Sequence, residues 1–443
     1  MNKIILIILL LILPAVYSPA QKRMTMEECM RYAVIHSFES QRANTDLQNY
    51  RERYTNAIAN HFPYLSSSLG TNNNYGRGID PATNSYINTS TFNNNMGLNL
   101  SLPIFKGFQL LNKTRSAKIA KLKGEEELRR VSDEVAENTM AAFAEAIYNT
   151  ELVSLSEQRL ERYKTEKQRA ARMCELGTGS IADLTQLEAT IASEEYTLIS
   201  YRNTLEISII KLKDCMNFPL EDTLIIEPEI RHQEILMPEQ LSDEIMDYAQ
   251  SHLSQSKIDN YTLQSSLLDL KIARSQFYPT LNFGAGISSS YYTRLDKGAV
   301  HYAPYGKQLR NNIGKQLQVS LSIPILNGLN SRSSVRIAKN NYEQAQRDYD
   351  ESIRKLSSEI TQAVLEVNAA RSQWIQAQKN VTAQETAHKI NQRKYEEGLL
   401  SIIDLQTSDN QLFSAQIELR NSYLRYQIKV REINYYKGIP YIQ

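Results

Sequence analysis

The second half of this sequence repeats the first half at a fixed spacing. The spacing of 221 residues relates Pro103 to Pro324, Ala117 to Ala338, Gly177 to Gly398, Asp183 to Asp404 and Pro219 to Pro440. Roughly 117 residues therefore align without an insertion or deletion. The run Leu-Ser-Leu-Pro-Ile from Leu100 matches Leu-Ser-Ile-Pro-Ile from Leu321, and Gly-x-x-x-Ile-x-Asp-Leu follows from both Gly177 and Gly398. One unit used twice predicts a pseudo-symmetric assembly.

Length and charge narrow the class of protein. A chain of 443 residues with 42% hydrophobic and 22% charged residues would ordinarily form two or three domains. The repeat overrides this expectation, because both halves have the same order of elements and neither closes by itself. The net charge is +1 without a long run of one sign, which argues against nucleic-acid binding and against a polybasic membrane surface.

The first twenty residues have the layout of a secretory signal peptide. Lys3 precedes an apolar run from Ile4 to Leu13, and small residues follow near Ala20. A membrane anchor is the alternative, but ten apolar residues are too few to cross about 30 Å of hydrocarbon as a helix. The first cysteine is Cys29, so an N-terminal lipid anchor is not expected and the mature chain should start near Gln21.

The three cysteines are not expected to form disulfides. If residues 181–215 form one helix, Cys174 and Cys215 lie roughly 50 Å apart, whereas a disulfide needs Cα atoms within about 7 Å. Packed thiols are the prediction.

Four segments alternate with a period of two and are predicted strands. They are Tyr64 to Tyr75, Asn95 to Leu102, Thr280 to Thr293 and Gln316 to Ile323. Polar, turn-rich stretches from Gly76 to Ser90 and from Arg294 to Ile313 join them as two hairpins. No other segment reaches eighteen apolar residues, so no transmembrane helix is expected.

The faces of these strands favour a membrane sheet over a soluble sandwich. Four strands are too few for a stable two-layer sandwich, and faces of Asn, Gln, Ser and Gly suit a water-filled lumen. Aromatic residues also gather near the strand ends, where membrane barrels place their aromatic girdles. These residues are Tyr64, Tyr75, Phe92, Phe105, Tyr278, Tyr291 and Tyr292.

The remainder is predicted to be helical with coiled-coil periodicity. Heptads run from Leu184 to Leu212 and again from Leu405 to Ile433. Proline-free helical stretches cover 108–175 and 329–396, each on the order of 100 Å long, and a further pair covers 25–61 and 239–277. The four helix-to-strand borders carry Pro63, Pro103, Pro279 and Pro324.

The order of these elements resembles the TolC-like outer-membrane efflux and export duct family, the outer membrane factors. The resemblance is carried by the signal peptide, the gapless repeat, the border prolines and the segment Tyr395 to Leu405, and it covers the whole mature chain. It implies a mixed fold of all-α coiled coil plus membrane β, in which three chains form a 12-stranded outer-membrane β-barrel on a 12-helix periplasmic α-barrel tunnel. Unpaired strand edges agree with closure by oligomerisation, since lipid does not tolerate them.

The resemblance also implies a domain division. Residues 1–20 form the signal peptide, 63–106 and 279–327 form barrel hairpins, and 218–238 and 438–443 form an equatorial linker and tail. The helical tunnel would comprise 21–62, 107–217, 239–278 and 328–437.

The functional residues implied by the resemblance lie at the periplasmic tip. The adaptor-docking turns would be Leu176, Gly177, Thr178 and Gly179, with Glu397, Gly398, Leu399 and Leu400. Asp404, and with less support Asp183, would form a charged gate; the alternative is that both are helix N-terminal charges favoured by the helix dipole. The chain departs from the family pattern at Leu400, where a basic residue often stands, and at Thr407, where a second acidic ring occurs.

The function expected is a passive exit duct of a tripartite efflux pump or type I secretion system. Expected partners are two further copies of this chain, a periplasmic adaptor and, indirectly, an inner-membrane pump of RND, ABC or MFS type. The expected location is the outer membrane, extending into the periplasm. The six histidines lack metal spacing and no phosphate loop is present, so no enzyme activity, cofactor, metal or nucleic-acid partner is expected. A periplasmic coiled-coil scaffold or adaptor without a pore is the alternative, and the cargo stays open.

Overall fold

The structure is a computed structural model that describes residues 22–80, 84–227, 242–296 and 302–442. The predicted signal peptide and residues 228–238 of the predicted linker lie outside this range. Among the described residues, no helix combines the length and the apolar character needed to cross a membrane. The described residues form two compact units, one within residues 22–46, 125–258 and 351–442 and one within residues 47–124 and 259–350.

The described part of the chain contains the following strands and helices. The strands are β1 (Lys22–Met24), β2 (Tyr64–Asp80), β3 (Ser85–Lys106), β4 (Leu224–Ile226), β5 (Thr280–Arg294) and β6 (Gly314–Ser322). The helices are α1 (Met26–His36), α2 (Phe38–Ala59), α3 (Gln109–Glu175), α4 (Ile181–Met216), α5 (Ser242–His252), α6 (Ser254–Arg274), α7 (Tyr305–Asn311), α8 (Asn330–Glu396) and α9 (Ile402–Tyr436).

The two predicted hairpins join into one four-stranded antiparallel sheet. Its order is β2-β3-β5-β6, so β2 and β6 lie at the edges. The two faces alternate as the sequence requires: Leu98 pairs with Ile287 and Leu100 with Ala285 on the apolar face. The short strands β1 and β4 form a separate parallel pair, which the sequence did not suggest.

The prediction of a turn-rich stretch from Gly76 to Ser90 was wrong. Pairing continues from Tyr75 with Ser90 to Asp80 with Ser85, so the hairpin is several residues longer than predicted. The sequence did not predict this extension because its residues are polar and show no apolar alternation. The strands continue nevertheless, since cross-strand backbone hydrogen bonds form whatever the side chains are.

A short helix covers the edge of β5 where β6 does not reach. The pairing of β5 with β6 ends at Ser288 with Gly314. Beyond it, Gln308 on α7 accepts a 3.1 Å hydrogen bond from the backbone N of Tyr292 and donates a 3.0 Å bond to its carbonyl. One amide side chain thereby replaces a partner strand, which protects an otherwise open edge.

The long helices agree closely with the sequence. α3 and α8 contain 67 residues each, which corresponds to about 100 Å. Both follow a pair of residues with positive φ, Gly107 and Phe108 before α3 and their repeat counterparts Gly328 and Leu329 before α8. The backbone therefore turns from strand to helix in the same way in both halves.

The expectation of continuous helices over 25–61 and 239–277 was wrong. The first breaks at Ser37 and the second at Leu253. Ser37 is extended (φ −61°, ψ 146°), and its hydroxyl accepts a 3.3 Å hydrogen bond from the N–H of Ser40, which caps the next helix. Neither a proline nor a glycine marks these breaks, and Ser37 and Leu253 are not distinguished by hydrophobic period.

Two buried clusters of the first unit are copies of one another. The cluster between α1, α3 and α4 contains Ala33 and Leu212, and the cluster between α5, α8 and α9 contains their counterparts Ala249 and Ile433, all of them fully buried. Full burial of a large aliphatic side chain contributes about 1.5–3 kcal/mol. Cys29 lies in the first cluster and no disulfide joins the three cysteines, as predicted.

Candidate functional site

Two helix-ending turns of identical construction occupy the predicted tip positions. In the first turn, Thr178 N–H donates to the Met173 carbonyl at 3.0 Å; in the second, Leu399 N–H donates to the Lys394 carbonyl at 2.8 Å. The glycines between them, Gly177 and Gly398, have φ of +75° and +73°. These are Schellman turns, in which glycine is needed for its left-handed backbone.

Both turns expose apolar side chains. Leu176 is 78% exposed in the first turn and Leu399 is 71% exposed in the second. Ile181 and Ile403, at the starts of α4 and α9, are also exposed. The described chain therefore presents apolar side chains to solvent at both turns.

The predicted gate residue Asp404 takes part in the start of α9. Its backbone N–H donates a 3.2 Å hydrogen bond to the hydroxyl of the N-cap Ser401, and this hydroxyl donates to the Asp404 carboxylate at 2.6 Å. The side chain of Asp404 is exposed. These bonds are what a helix N-terminal charge makes, and they leave the carboxylate accessible to ions.

Asp183 has a different environment from Asp404. It is half-buried, and its charge interacts electrostatically with the side chain of Tyr395. Burial raises the pKa of Tyr395, and the charge of Asp183 raises it further. The two aspartates, equivalent in the repeat, therefore differ in exposure.

The two departures from the family pattern have apolar or local contacts. Leu400 packs against the buried cluster that contains Leu187, Ile402 and Leu405. Thr407 donates a 2.9 Å hydrogen bond to the Ile403 carbonyl of its own helix. Neither residue provides a charged contact at the tip.

The border prolines lie at or near the ends of the strands. Pro63 and Pro279 each directly precede a strand, β2 and β5, and Pro324 follows the end of β6 by two residues. Pro103 lies inside β3, at the irregularity in the pairing with β5 between Pro103 and Phe105. A proline cannot donate to the ladder, which accounts for a bulge at this position.

Sequence reasoning missed a buried polar cluster above the tip. Asp409 on α9 accepts hydrogen bonds from Arg159 Nε at 2.8 Å and from the Tyr163 hydroxyl at 2.9 Å, both on α3. Arg162 on α3 donates to the other carboxylate oxygen at 3.0 Å. The side chains of Arg159 and Asp409 are 7% and 5% exposed. A carboxylate held by three donors on one neighbouring helix is rigidly placed.

Further groups surround this Asp409 cluster, which comprises Arg159, Arg162, Tyr163 and Asp409. Glu194 on α4 lies 3.2 Å from Arg159, and Arg159 also donates to Asn410 on α9. His388 on α8 has Nε2 at 3.9 Å from the Asp409 carboxylate. Helices α3, α4, α8 and α9, two from each repeat, thus meet at one charged site.

The protonation states in the cluster follow from burial and charge. Burial, followed by the negative charge of Asp409, raises the pKa of Tyr163 to about 12, so its hydroxyl keeps the donated proton at neutral pH. Burial lowers the pKa of Arg159, but the hydrogen bond to Tyr163 and the charges of Asp409 and Glu194 outweigh it and raise the pKa overall. The guanidinium therefore stays charged.

The cluster had a detectable signal in the sequence. Asp409 lies four residues after Leu405 and three before Leu412, two leucines of the α9 heptad, so it falls on the apolar face of the helix. A charged residue there needs a partner, because an isolated buried carboxylate is costly. The sequence could not identify that partner, because Arg159 lies 250 residues earlier in the chain.

No metal site accompanies these residues. Within 22–80, 84–227, 242–296 and 302–442, His, Cys, Asp and Glu form no group of three suited to a metal ion.

Comparison with known proteins identifies relatives along most of the chain. The sequence model of the family described as "Outer membrane efflux protein" matches residues 33–217 and 261–437. The outer membrane efflux protein BepC of Brucella suis biovar 1 is 24% identical over 384 residues, which cover 86% of this chain and 77% of BepC. The outer membrane protein TolC of Salmonella enteritidis is 22% identical, over 68% of this chain and 60% of TolC.

A solved structure has the same fold. The crystal structure of the CmeC outer membrane channel of Campylobacter jejuni superposes with a TM-score of 0.80 at 16% identity, covering 93% of this chain and 85% of that chain. The resemblance drawn from the sequence is thereby confirmed.

Proposed function

This chain belongs to the outer membrane efflux protein family, and we propose that three copies of it form one outer-membrane channel, the passive exit duct of an efflux or secretion system. Members of this family are channel proteins. The proposed duct has no catalytic activity of its own.

The observation that carries the proposal is the pair of open sheet edges on β2 and β6. Unpaired N–H and C=O groups cost several kcal/mol each in hydrocarbon, so a four-stranded sheet cannot stay open in a bilayer. Pairing of β6 with β2 of the next copy removes both edges and closes a ring.

The repeat predicts how these two strands pair. Residues of β2 and β5 correspond at a spacing of 216, as in Pro63 and Pro279, whereas β3 and β6 correspond at 221. Tyr64 pairs with Ser101 in the first hairpin, and their counterparts Thr280 and Ser322 pair in the second. The two spacings thus correctly predict the pairing register of the second hairpin from that of the first.

The same two spacings predict the contact between neighbouring copies, in which β6 of one chain pairs with β2 of the next. Leu100 pairs with Ala285, and the counterparts of these residues are Leu321 and Leu69. Leu321 should therefore pair with Leu69 of the next copy. Both leucines are exposed on the apolar side of the edge strands, where a second copy would complete the belt facing lipid.

We assign the segments of the chain to the duct as follows. The hairpins 63–106 and 279–327 supply the barrel, and the helical segments 21–62, 107–217, 239–278 and 328–437 supply the periplasmic tunnel. Two Schellman turns with exposed leucines support a docking tip for a periplasmic adaptor, through which an inner-membrane pump would be engaged. The exposed carboxylate of Asp404 supports a charged gate beside it.

Conductance of the purified protein in planar bilayers tests the function. The duct should give discrete channel events and a mass in detergent of about three chains. A stable folded monomer without conductance would support the rival, a periplasmic scaffold without a pore, and overturn the proposal.

A further inference from the structure

The turn from β3 into α3 is held by residues that follow α6. A Cβ atom added to Gly107 would lie 2.6 Å from the Ser275 carbonyl oxygen and 2.7 Å from Tyr278 Cβ, so glycine is needed at this close approach. The ring of Phe108 meets the ring of Tyr278 edge to face, with centroids 6.1 Å apart. One chain therefore contains a complete contact between the start of a long helix and the end of a shorter one.

The turn from β6 into α8 has the same backbone but lacks this contact within the described chain. Gly328 and Leu329, the counterparts of Gly107 and Phe108, have φ of +61° and +68°, against +57° and +66° in the first repeat. No atom beyond its chain neighbours lies within 4 Å of the Cβ position of Gly328, and Leu329 is 64% exposed. The second turn thus has the geometry of the first without a residue packed against its glycine.

β6 also lacks an extension that β3 has. Residues 102–106 of β3 lie beyond the start of β2 and pair with β5 alone. β6 ends at Ser322, whose partner is the first residue of β5. Ile325 and Leu326 follow outside any strand and are 93% and 89% exposed. Residues 323–327 thus repeat the pattern of the extension, apolar-Pro-Ile-apolar-polar, without a strand that holds them.

The end of α2 presents the counterpart of the surface that holds α3. At the spacing of 216 residues, Phe62 corresponds to Tyr278 and Ala59 to Ser275. The N–H of Phe62 donates to the Ala59 carbonyl at 2.9 Å, and the N–H of Tyr278 makes the equivalent bond at 3.1 Å. Phe62 is 64% exposed, and the first two residues of β2 are 70% and 59% exposed. The receiving surface is therefore already formed and open to solvent.

These two surfaces lie at opposite edges of the sheet. The turn into α8 follows β6, and the end of α2 precedes β2, with β3 and β5 between the two edge strands. Three strand spacings, about 14 Å, separate the edges, so the surfaces do not meet within one chain. A second copy placed with its β2 beside β6 brings them together, in line with the proposed pairing of these strands.

We propose that residues 323–329 form an assembly latch that packs onto residues 59–66 of the next copy, at the border between the sheet and the helices. Gly328 then lies against the backbone of the next copy, and Leu329 packs against Phe62 of that copy. This inference rests on the proposed trimeric channel. It adds to that trimer a contact at the helix ends, outside the strand pairing.

The latch also extends the strand pairing between copies. Phe105 of β3 pairs with Leu281 of β5. Their counterparts, Leu326 and Leu65 of the next copy, should therefore pair in the same way. Residues 323–327 thereby gain the backbone partners that they lack as irregular chain.

The rate at which the full-length trimer dissociates in mildly denaturing detergent tests the latch. Leu329→Ser and Phe62→Ser should each raise this rate about tenfold, since each removes an apolar contact between copies. The double variant should raise the rate little further, because both changes break one contact. Phe277→Ser, at a 56% exposed aromatic residue, is the matched control. It should keep the wild-type rate, because the counterpart His61 bonds to Thr114 of its own repeat.

Gly328→Ala gives a second test, whose result the contacts of a single chain would not predict. Gly328 and Gly177 both have positive φ and open Cβ positions, so alanine causes similar left-handed strain at both. In the trimer, a Cβ atom at Gly328 would meet the next copy as a Cβ atom at Gly107 would meet Ser275. Gly328→Ala should therefore speed dissociation, and Gly177→Ala should not.

The outcomes separate the latch from the channel. A monomeric wild type overturns both. A trimeric wild type with unchanged dissociation of Leu329→Ser and Phe62→Ser overturns the latch alone, as does an equal increase in Phe277→Ser or equal rates in the two glycine variants. Folded monomers of Leu329→Ser or Phe62→Ser, beside trimers of Phe277→Ser, support the latch. Loss of the helical circular dichroism signal from those monomers would show that the side chains hold their own chain, and it would overturn the latch.

Discussion

Arg159 Nε lies 2.8 Å from a carboxylate oxygen of Asp409, a residue 250 positions later in the chain, and both side chains are almost completely buried. This pair joins the first repeat to the second. It also breaks the symmetry of the repeat, because the counterpart of Arg159 is Asn380. The sequence repeats, but at this site the residues and contacts of the two copies differ.

The stability of the protein should fall strongly when one member of the Arg159–Asp409 pair is neutralised, and less when both charges are replaced by apolar side chains. Asp409→Asn leaves the buried Arg159 guanidinium with Glu194 as its remaining acidic partner, and we expect it to destabilise the protein by about 3 kcal/mol, the lower end of the range for a broken buried pair. The double variant Asp409→Leu with Arg159→Met removes both charges and should recover part of that loss, because Glu194 then loses its Arg159 partner. Thermal unfolding in detergent measures both, and a double variant less stable than Asp409→Asn would contradict the account.

The stability of the protein should fall between neutral and mildly acidic pH because of His388. Burial lowers the pKa of His388 below 6.5, the nearby Asp409 partly offsets this, and Arg162 adds to it. As the pH falls through 6.5, the unfolded chain takes up a proton while the folded chain does not, so folding becomes less favourable down to the folded pKa.

Unfolding temperatures at pH 7.5 and 5.5 test this linkage. His388→Gln should reduce the loss of stability between these two pH values. His252→Gln, at an exposed position on α5, should retain the wild-type loss. An identical loss in wild type and His388→Gln would show that His388 does not contribute.

Two glycines that both have a positive φ should differ in their tolerance of substitution by alanine. Gly107 has φ +57°, and a Cβ there would lie 2.6 Å from the Ser275 carbonyl oxygen and 2.7 Å from Tyr278 Cβ. Gly177 has φ +75° with no atom within 4 Å of its Cβ position. Gly177→Ala should therefore cost only the left-handed strain of about 1–2 kcal/mol.

Gly107→Ala should cost more than Gly177→Ala, since main chain must move as well. The difference in unfolding temperature between the two variants measures this cost. Equal losses would mean that the close approach between Gly107 and Ser275 is easily relieved.

Asp404 should influence ions through its charge rather than through helix stability. In a trimer, three copies of its exposed carboxylate would attract cations at the mouth. Asp404→Asn should weaken block by divalent cations and reduce cation preference in single-channel recordings. Ser401→Ala removes the N-cap, at about 1 kcal/mol, but keeps the carboxylate, so it should retain the wild-type block. If Ser401→Ala weakens block as much as Asp404→Asn, the charge is not the cause.

The sequence predicted most of the regular elements because their signals are long and local. Heptads specify α4 and α9, and period-two alternation specifies β6 and the inner part of β3. The breaks at Ser37 and Leu253 were missed, since they depend on a hydroxyl cap and on packing rather than on proline or glycine. The Asp409 cluster was missed because its partners are distant in sequence, although the charge on an apolar helix face signalled that a partner exists.

The pairing of β6 with β2 of the next copy is the central claim of the account, and a cysteine cross-link tests it most directly. With Cys29, Cys174 and Cys215 replaced by Ala, Leu69→Cys and Leu321→Cys should form disulfides under mild oxidation. Within one chain, these residues lie on opposite edges of the four-stranded sheet, about 14 Å apart across the strands. They are also displaced along the strands, because Leu69 is level with Ser289 of β5 and Leu321 is level with Leu281. Their separation therefore far exceeds the Cα distance of about 7 Å that a disulfide allows.

The control pairs Leu69→Cys with Leu317→Cys, which is four residues out of register on the same face, or about 13 Å along the strand. The account predicts a covalent trimer from Leu69 and Leu321 on a denaturing, non-reducing gel, and little cross-linking from Leu69 and Leu317. Monomers alone from the first pair, or equally efficient cross-linking from both pairs, would contradict it.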